Sequence, residues 1–426
     1  MKKLLLSLAL VCALTSCDIF LGGLTGGDFA GGDGSASSPY KIKNETHLTN
    51  ISKYQDSYFI LMGDINMSGV TWIPFSFSGC LDGNGYTIYN LTISTNMSAK
   101  GQGMFTELQK NSYVKNITLY NVVSQHANWD NVGAIAGEAE AAVINNCHIV
   151  LTQPNAIYGH DDVGGMVGNA MFGLEIKNSS VTSTTDKYAI VGNREVGGMV
   201  GFLEGASKYY PYEITNNFVR ANIDAVSRCG GLMGYAQAYP DSEYSNLAYE
   251  GTITAEYGTA STDWGFGGII GEAKWVSLKN CKANVSIFFK TKKRYVGGLI
   301  GYPNSCKVMA CYTWGEIDTD QINYSYANYE KALTPFVGYT EIGDFKVYDS
   351  YTLMDITIDE DNGGGKNNFA IANLVQKGGS NINIANMMRA SNATYGNFWN
   401  YDKTYSWTGR VNSKNVTVTC PKMIWE

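Results

Sequence analysis

The sequence predicts an all-β protein whose main body is a right-handed parallel β-helix (β-solenoid) of about eight to nine coils, with a cap at each end. Three observations lead to this prediction. Of the 426 residues, 48 are glycine, 16% are charged and 44% are apolar, a composition that suits short strands and tight turns. A glycine-rich hexapeptide recurs at intervals of 30 to 37 residues. Segments of alternating apolar and polar residues, typical of half-buried strands, separate its copies.

The first sixteen residues have the plan of a secretory signal peptide. Lys2 and Lys3 precede an apolar stretch from Leu4 to Leu14, and small residues follow it. The apolar stretch is too short to span a bilayer, because a membrane helix needs about 20 apolar residues. We therefore assign residues 1–16 to a cleaved signal.

The end of this signal, Leu14-Thr15-Ser16-Cys17, resembles the lipobox of bacterial lipoproteins. The resemblance implies that Cys17 is acylated and becomes the new N-terminus. The predicted location is thus the bacterial cell envelope, at the outer membrane or cell surface, and the membrane is the first predicted partner. Residues 17–38 are rich in Gly, Ser and Asp, and we expect them to form a flexible tether.

The hexapeptide defines the main body of the protein. Six clear copies are VGAIAG from Val132, VGGMVG from Val163 and again from Val196, CGGLMG from Cys229, FGGIIG from Phe266 and VGGLIG from Val296. A degenerate copy starts at Gly101, and Pro335-Phe336-Val337-Gly338 resembles another. A constant period of this length is typical of a solenoid. The expected division is an N-terminal cap with the first coils at 39–98, the repeat β-helix at 99–358 and a C-terminal cap at 359–426.

The glycines leave room for close contacts between coils or for a corner with positive φ. An asparagine also recurs early in the second strand of each repeat, and we expect these side-chain amides to form a ladder along the solenoid. The asparagines are Asn116, Asn145, Asn178, Asn216, Asn246 and Asn280. A cysteine occupies a repeated position at Cys147, Cys281 and Cys311, where it is expected to be buried and unpaired.

The hexapeptides resemble those of the GLUG-motif family of bacterial surface proteins. The resemblance extends to the opening Ser35–Ile42, Tyr58–Met67 and Phe77–Ile88 segments and to the closing Thr419–Trp425 segment. It implies a parallel β-helix on the cell surface, often associated with adhesion or with larger secreted proteases, and it implies no catalytic residues. We expect no accessory domain in this sequence, and therefore no protease role.

Several partners and groups are not expected. The net charge of −7 gives no electrostatic attraction to nucleic acid. No cofactor is predicted, because the hexapeptides lack the helix that follows a phosphate-binding glycine loop. No metal is predicted either, because Asp82-Gly83-Asn84-Gly85 is too short for an EF-hand loop and is interpreted as a turn.

The predicted function is adhesion or binding of a partner, either a glycan or a host or bacterial surface protein. Exposed aromatic side chains in turns are common at such sites. The candidate binding residues form one aromatic and one basic turn: Tyr209, Tyr210 and Tyr212, and Lys290, Lys292, Lys293 and Arg294.

The alternative is a carbohydrate-active enzyme, a lyase or glycoside hydrolase on a parallel β-helix. His160-Asp161-Asp162 is the best acid/base candidate, although a solvated turn explains it equally well. We assign no catalytic residue. The two hypotheses differ in what a lateral groove should contain: converging acids and histidines for an enzyme, or exposed aromatic rings for a binding protein.

Overall fold

The computed structural model describes residues 27–95, 101–209, 211–240, 242–255, 265–289 and 295–319, and shorter segments between 333 and 423. These residues form a parallel β-solenoid of about seven turns, which confirms the predicted fold class. The number of turns is slightly below the predicted eight to nine. The short N-terminal strands pair in parallel with the strands of the following coils and so continue the solenoid, whereas the last long strands form a separate sheet.

The N-terminal part combines these short strands with one short helix. Helix α1, Glu45–Thr49, begins after Asn44, whose side-chain oxygen accepts a hydrogen bond from the backbone N–H of His47 at 2.9 Å. A 3₁₀ turn, Asn50–Lys53, follows it. The strands are β1 (Tyr40–Ile42), β2 (Tyr58–Leu61), β3 (Ile65–Asn66), β4 (Thr71–Trp72), β5 (Phe75–Phe77), β6 (Cys80–Asp82), β7 (Thr87–Tyr89), β8 (Thr92–Ile93) and β9 (Phe105–Leu108).

The central coils contain the hexapeptides, which stack in register. Val163 pairs with Val196, which pairs with Cys229 in the next coil, all in parallel. The strands are β10 (Tyr113–Tyr120), β11 (Val123–Gln125), β12 (Ala136–Leu151), β13 (Ile157–Tyr158), β14 (Asp161–Gly164), β15 (Val167–Lys177), β16 (Ser180–Ser183), β17 (Tyr188–Gly197), β18 (Val200–Glu204), β19 (Glu213–Arg220), β20 (Asn222–Gly230), β21 (Met233–Gln237), β22 (Glu243–Ala255), β23 (Phe266–Gly267), β24 (Ile270–Lys274), β25 (Ser277–Lys279), β26 (Lys282–Phe289), β27 (Val296–Gly297), β28 (Ile300–Asn304), β29 (Lys307–Met309) and β30 (Tyr312–Thr319).

The hexapeptide glycines are required by close approach of the backbone. A Cβ on Gly164 would lie 2.0 Å from the carbonyl oxygen of Val167, and a Cβ on Gly165 would lie 2.1 Å from the carbonyl oxygen of Gly198. Both distances are far inside van der Waals contact. Of the two roles considered for these glycines, close approach is therefore the one that the structure shows at these positions.

The asparagine ladder is confirmed at a sharp corner between two strands. Asn178, Asn216, Asn246 and Asn280 have φ between 53° and 58°, a left-handed conformation that Asn tolerates better than other non-glycine residues. Each side-chain amide donates to the side-chain oxygen one coil earlier, at 2.9 to 3.2 Å. Asn145 accepts from Asn178, while its neighbour Asn146 has the left-handed backbone and donates to Asn116.

Behind this corner, small polar side chains form an inward-facing column. The backbone N–H of Cys147 donates to Ser179 Oγ at 3.1 Å, and that of Cys281 donates to Cys311 Sγ at 3.3 Å. Cys147, Cys281 and Cys311 are buried and free, as predicted. The column compensates the backbone groups that lose their strand partners where the chain turns.

The folded body begins before residue 39, although the composition predicts a flexible tether over residues 17–38. The Phe29 ring stacks on Tyr40 with centroids 4.3 Å apart. The Asp28 carboxylate accepts hydrogen bonds from Lys53 and Tyr54, each at 2.9 Å. One aromatic anchor, with glycines at positive φ such as Gly32 and Gly34, is enough to fix this polar segment. The part of the predicted tether before residue 27 lies outside the described residues.

The solenoid pattern continues into the next strands, because β31 (Leu333–Thr334), β32 (Lys346–Tyr348) and β33 (Tyr351–Ile358) pair in parallel with β27, β29 and β30. The strands that follow depart from it. They are β34 (Asn367–Asn368), which is antiparallel to β33, and β35 (Asn381–Asn383), β36 (Trp399–Val411) and β37 (Lys414–Met423). The last three form a separate sheet, in which β36 and β37 are antiparallel and β35 is parallel to β37.

Candidate functional site

The aromatic turn predicted to bind a partner divides into one exposed and one buried residue. Tyr209 is 82% exposed. Tyr212 is buried, so the expectation of an exposed ring is wrong there. Its hydroxyl is hydrogen-bonded to the carbonyl oxygens of Ala170, at 2.7 Å, and Glu204. Burial raises the pKa of Tyr212. Tyr212 therefore anchors the turn that carries Tyr209.

The other predicted site residues lie outside the described residues. They are Tyr210, the lipid-attachment residue Cys17, and the basic run Lys290, Lys292, Lys293 and Arg294.

The Tyr209 turn belongs to one edge of the solenoid, formed by the turns that come shortly after each hexapeptide. These turns lie within β12 and β15 and follow β18, β21, β24 and β28. Successive turns lie beside one another because the strands before them pair in parallel. Most of these turns contain one residue with left-handed backbone. These residues are Ala141, Phe172, Gly205, Trp275 and Ser305, with φ from 43° to 85°.

Four exposed aromatic residues lie on four consecutive turns of this edge, which we call the aromatic edge. They are Phe172 (45% exposed), Tyr209, Tyr239 (42%) and Trp275 (36%). The coils are about 4.8 Å apart, so the edge extends about 14 Å from the Phe172 coil to the Trp275 coil. The Lys274 ammonium lies 4.3 Å from the centre of the Trp275 ring.

Folding does not require large rings at these positions. Where Phe172 and Trp275 have left-handed backbone, other turns of the same edge have Ala141 and Ser305. A bulky residue with positive φ is uncommon and costs about 1 kcal/mol or more. Because these rings remain partly exposed, burial recovers only part of that cost.

Beside the aromatic edge lies a polar groove of about 300 Å³ between two neighbouring coils. The Thr215 and Ser245 hydroxyls in it are 3.1 Å apart. Its lining residues are Pro211, Tyr212, Glu213, Ile214, Thr215, Ser242, Glu243 and Ser245.

Two lysines hold the groove carboxylates. Lys177 pairs with Glu213 and also with Glu175, and the hydrogen bond that Lys177 donates to Glu213 raises the pKa of Lys177. Lys279 Nζ lies 3.2 Å from both carboxylate oxygens of Glu243. Glu213 and Glu243 remain 53% and 42% exposed while the lysines are more buried. The groove therefore presents acceptor oxygens to solvent with little net charge.

Two residues of the predicted acid/base trio lie together, with His160 Nδ1 3.5 Å from Asp161 Oδ1, whereas Asp162 has other partners. His160 is exposed, and its Nδ1 lies 2.9 Å from Asp130 Oδ1. Asp161 accepts hydrogen bonds from Asn193 and from the guanidinium of Arg194, each at 3.0 Å. Burial alone would raise the pKa of Asp161, but these hydrogen bonds outweigh burial and lower it.

Asp162 has a different environment. Its Oδ2 accepts a hydrogen bond from Asn169 at 2.7 Å. Pairing of the residues on either side aligns Asp162 with Glu195 of the next coil, and Glu195 is ion-paired with Arg228. Burial and the Glu195 charge raise the pKa of Asp162 to about 7. We call Asp130, His160, Asp161, Asp162 and Glu195 the acidic corner.

Among the described residues, one trio has metal-ligand geometry. One ligand atom each from Asp130, His160 and Asp161 lie within 4.8 Å of one another. However, Asp161 is already neutralised by Arg194, and a hydrogen-bonded network accounts for the arrangement.

Sequence reasoning missed three of the four rings. It found Tyr209 because other aromatic residues lie within three positions of it, whereas Phe172, Tyr239 and Trp275 have no aromatic residue that close in the sequence. The missing signal is their offset: Phe172 and Trp275 each follow the last glycine of a hexapeptide, Gly168 or Gly271, by four residues. Aligning the repeats in register would have placed them on one edge.

In the part of the chain that the structure describes, no helix is both long and apolar enough to cross a membrane.

Comparisons with known proteins support the fold but identify no family. No protein-family model matches the chain. Halomucin of Haloquadratum walsbyi is 30% identical over 166 residues, which cover 35% of this chain and 2% of that protein. A protein of Evansella cellulosilytica, provisionally named a Gly-rich membrane protein, is 32% identical over 104 residues, which cover 21% of this chain and 12% of that protein. The chain thus spans only a small part of either relative.

One solved structure is similar over nearly the whole chain. It is a crystal structure from Bacteroides ovatus at 1.30 Å resolution, provisionally named an immunoglobulin A1 protease. The TM-score is 0.50 and the sequence identity 17%, over 94% of this chain and 96% of that chain. At this identity the similarity supports the shared fold alone.

Proposed function

We propose that this protein is a lipid-anchored binding protein of the bacterial cell envelope that attaches to a partner through its aromatic edge. The observation that carries the proposal is the row of exposed rings at Phe172, Tyr209, Tyr239 and Trp275 on consecutive coils. Rings that folding does not require, on a rigid stack of paired strands, are characteristic of binding surfaces. The signal-like N-terminus and Cys17 support the envelope location.

The experiment is an attachment assay with bacteria that display the full-length protein. A triple variant, Phe172→Asn, Tyr209→Ala and Trp275→Ser, removes three rings while keeping residues that suit the local backbone. We expect at least tenfold fewer bacteria attached to host-cell and bacterial-cell layers. Tyr120→Ala is the matched control, because Tyr120 is 40% exposed and belongs to β10, away from these turns. Equal loss in the control, or none in the triple variant, would exclude the aromatic edge.

A second candidate is a carbohydrate-active enzyme, and the acidic corner favours it. The Asp162 carboxyl, whose pKa burial raises to about 7, is aligned with Glu195 of the next coil, and glycosidases use a pair of carboxyls of which one has a raised pKa. Its test is hydrolysis or elimination of polysaccharides by the full chain, compared with Asp162→Asn. Activity lost in that variant would support the enzyme.

A further inference from the structure

Resting on the proposed function, we infer that the ligand of the aromatic edge is a neutral carbohydrate chain that lies along the solenoid axis, over the rings and the adjoining polar groove. The inference depends on three features of the same surface: the spacing of the rings, the chemistry of the groove and the pairing of the neighbouring strands.

The first feature is the set of exposed rings on consecutive turns. Phe172, Tyr239 and Trp275 belong to turns separated by whole coils, and one coil is about 4.8 Å. One coil is close in length to one sugar unit of an extended chain. Sugar rings present C–H faces that pack on aromatic side chains, whose amphipathic surfaces suit such contacts. A chain of at least three sugars would therefore contact rings on successive coils.

The second feature is the groove beside the rings. Exposed carboxylate oxygens of Glu213 and Glu243 and the hydroxyls of Thr215 and Ser245 are available as acceptors, or as donors and acceptors, for sugar hydroxyls. Lys177 and Lys279 neutralise much of the carboxylate charge. An anionic glycan would approach carboxylates whose lysine partners are already engaged, so a neutral sugar fits better.

The third feature excludes one class of peptide ligand. Peptides often bind by adding a strand to an open sheet edge. At this site the strands are paired on both sides: β18 lies between β15 and β21, and β22 lies between β19 and β25. A peptide backbone thus finds no unpaired row of N–H and C=O groups here, and recognition depends on side chains.

The test measures binding of the purified full chain to immobilised tetrasaccharides of glucose, galactose and mannose, in α and β linkages. Sulfated and sialylated forms, single sugars and an unstructured peptide library are included. We expect at least one neutral tetrasaccharide to bind, with much weaker binding of its single sugar. Phe172→Asn with Trp275→Ser should weaken that binding at least tenfold, and Tyr120→Ala should leave it unchanged.

Each result separates this inference from the proposed function. Binding only to sulfated or sialylated forms, or only to peptides, overturns the neutral carbohydrate, as does neutral binding that is insensitive to the double variant. If no glycan binds while the displayed protein still attaches to cells through the aromatic edge, the inference fails and the proposed function stands. If attachment also fails, both fail.

Discussion

The side-chain amide of Asn216 donates a hydrogen bond to the side-chain oxygen of Asn178, its equivalent one coil earlier, at 3.0 Å. Asn216 in turn accepts from Asn246 at 2.9 Å. Both residues of the first pair have left-handed backbone. One residue type therefore satisfies two requirements at this corner: the backbone conformation and the polar groups that the turn leaves without strand partners.

Replacing Asn216 separates these two contributions. Asn216→Ala should lower the free energy of unfolding by about 2 to 3 kcal/mol, because it removes two buried hydrogen bonds and forces alanine into positive φ. Asn216→Gly should cost less, about 1 to 2 kcal/mol, since glycine accepts the conformation. Urea denaturation of both variants measures the difference. Equal stability of the two would show that the backbone conformation contributes nothing.

The fold could be predicted from the sequence because each structural requirement of a coil recurs in several repeats. Gly164 and Gly165 recur at the same hexapeptide positions and Asn178 recurs at the same corner, so a structural requirement is visible as a period. Single features had no such repetition. Phe29 fixes a segment whose composition resembles a tether, and nothing in the composition shows that its ring stacks on Tyr40.

The binding surface was only partly predictable for a related reason. Tyr209 was found from local clustering, while Phe172 and Trp275 lie about a hundred residues apart and meet on one edge only through coil stacking. The acidic corner is similar: Asp162 and Glu195 each precede a hexapeptide, and their proximity follows from register. Burial, which decides that Tyr212 is an anchor, depends on tertiary packing and was not visible in the sequence.

In the inward-facing column, Cys311 should be replaceable only by a side chain that accepts a hydrogen bond. Cys311 Sγ accepts from the N–H of Cys281, as Ser179 Oγ does from Cys147. Cys311→Ser should therefore change the free energy of unfolding by less than about 1 kcal/mol, whereas Cys311→Val, which has no acceptor, should cost about 1 to 3 kcal/mol. Thermal unfolding of the two variants checks this. A larger loss for serine than for valine would mean that the site requires an apolar side chain alone.

These thiols should also resist alkylation. Burial raises the pKa of Cys147 to about 12 and also raises that of Cys281, so little thiolate is present at neutral pH. Mass spectrometry after iodoacetamide treatment should find both unmodified in the native protein and modified after denaturation. Rapid native modification, or a disulfide between Cys281 and Cys311, would contradict the structure.

Asp162 should make stability fall with rising pH. Its pKa is about 7 in the folded protein against an ordinary value of 3.8, so between these values the folded state binds more protons than the unfolded state. The free energy of unfolding therefore decreases from about pH 4 to pH 7. Asp162→Asn should remove this dependence and stabilise the protein by up to about 4 kcal/mol at pH 8. Asparagine already occupies the position equivalent to Asp162 in the preceding coil, at Asn131.

Asp161→Asn is the control, because its effect on stability at pH 8 should be opposite to that of Asp162→Asn. Its pKa is lowered by Arg194 and Asn193 against the effect of burial, so its ionised form stabilises the fold above the unfolded pKa, and this contribution is lost as the pH falls through the folded pKa. Asp161→Asn should thus destabilise the protein at pH 8. Urea titrations at pH 4, 6 and 8 distinguish the two. Destabilisation by Asp162→Asn at pH 8 would show that its carboxylate is ionised and paired.

We expect lipid attachment at Cys17 to hold the protein in the membrane fraction of the cell. Cys17→Ala should move the protein from the membrane fraction to the soluble fraction, because a lipid chain supplies about 0.8 kcal/mol of membrane affinity per buried CH₂ and the variant cannot be acylated. Carbonate washing followed by immunoblotting measures this, with Cys80→Ala as the control. If the Cys17 variant stays in the washed membrane, the anchor lies elsewhere.

The two tyrosines of one turn, Tyr209 and Tyr212, should respond differently to substitution. Tyr209 is 82% exposed, so Tyr209→Ala should leave the free energy of unfolding within about 0.5 kcal/mol of the parent, and binding should weaken because a ring of the aromatic edge is lost. Tyr212 is buried and its hydroxyl bonds to the Ala170 carbonyl, so Tyr212→Phe should cost about 1 to 2 kcal/mol. Calorimetry measures the stability of both variants, and the attachment assay measures their binding. If Tyr209→Ala lowers the melting temperature while attachment is unchanged, Tyr209 contributes to packing, and the aromatic edge loses its most exposed ring.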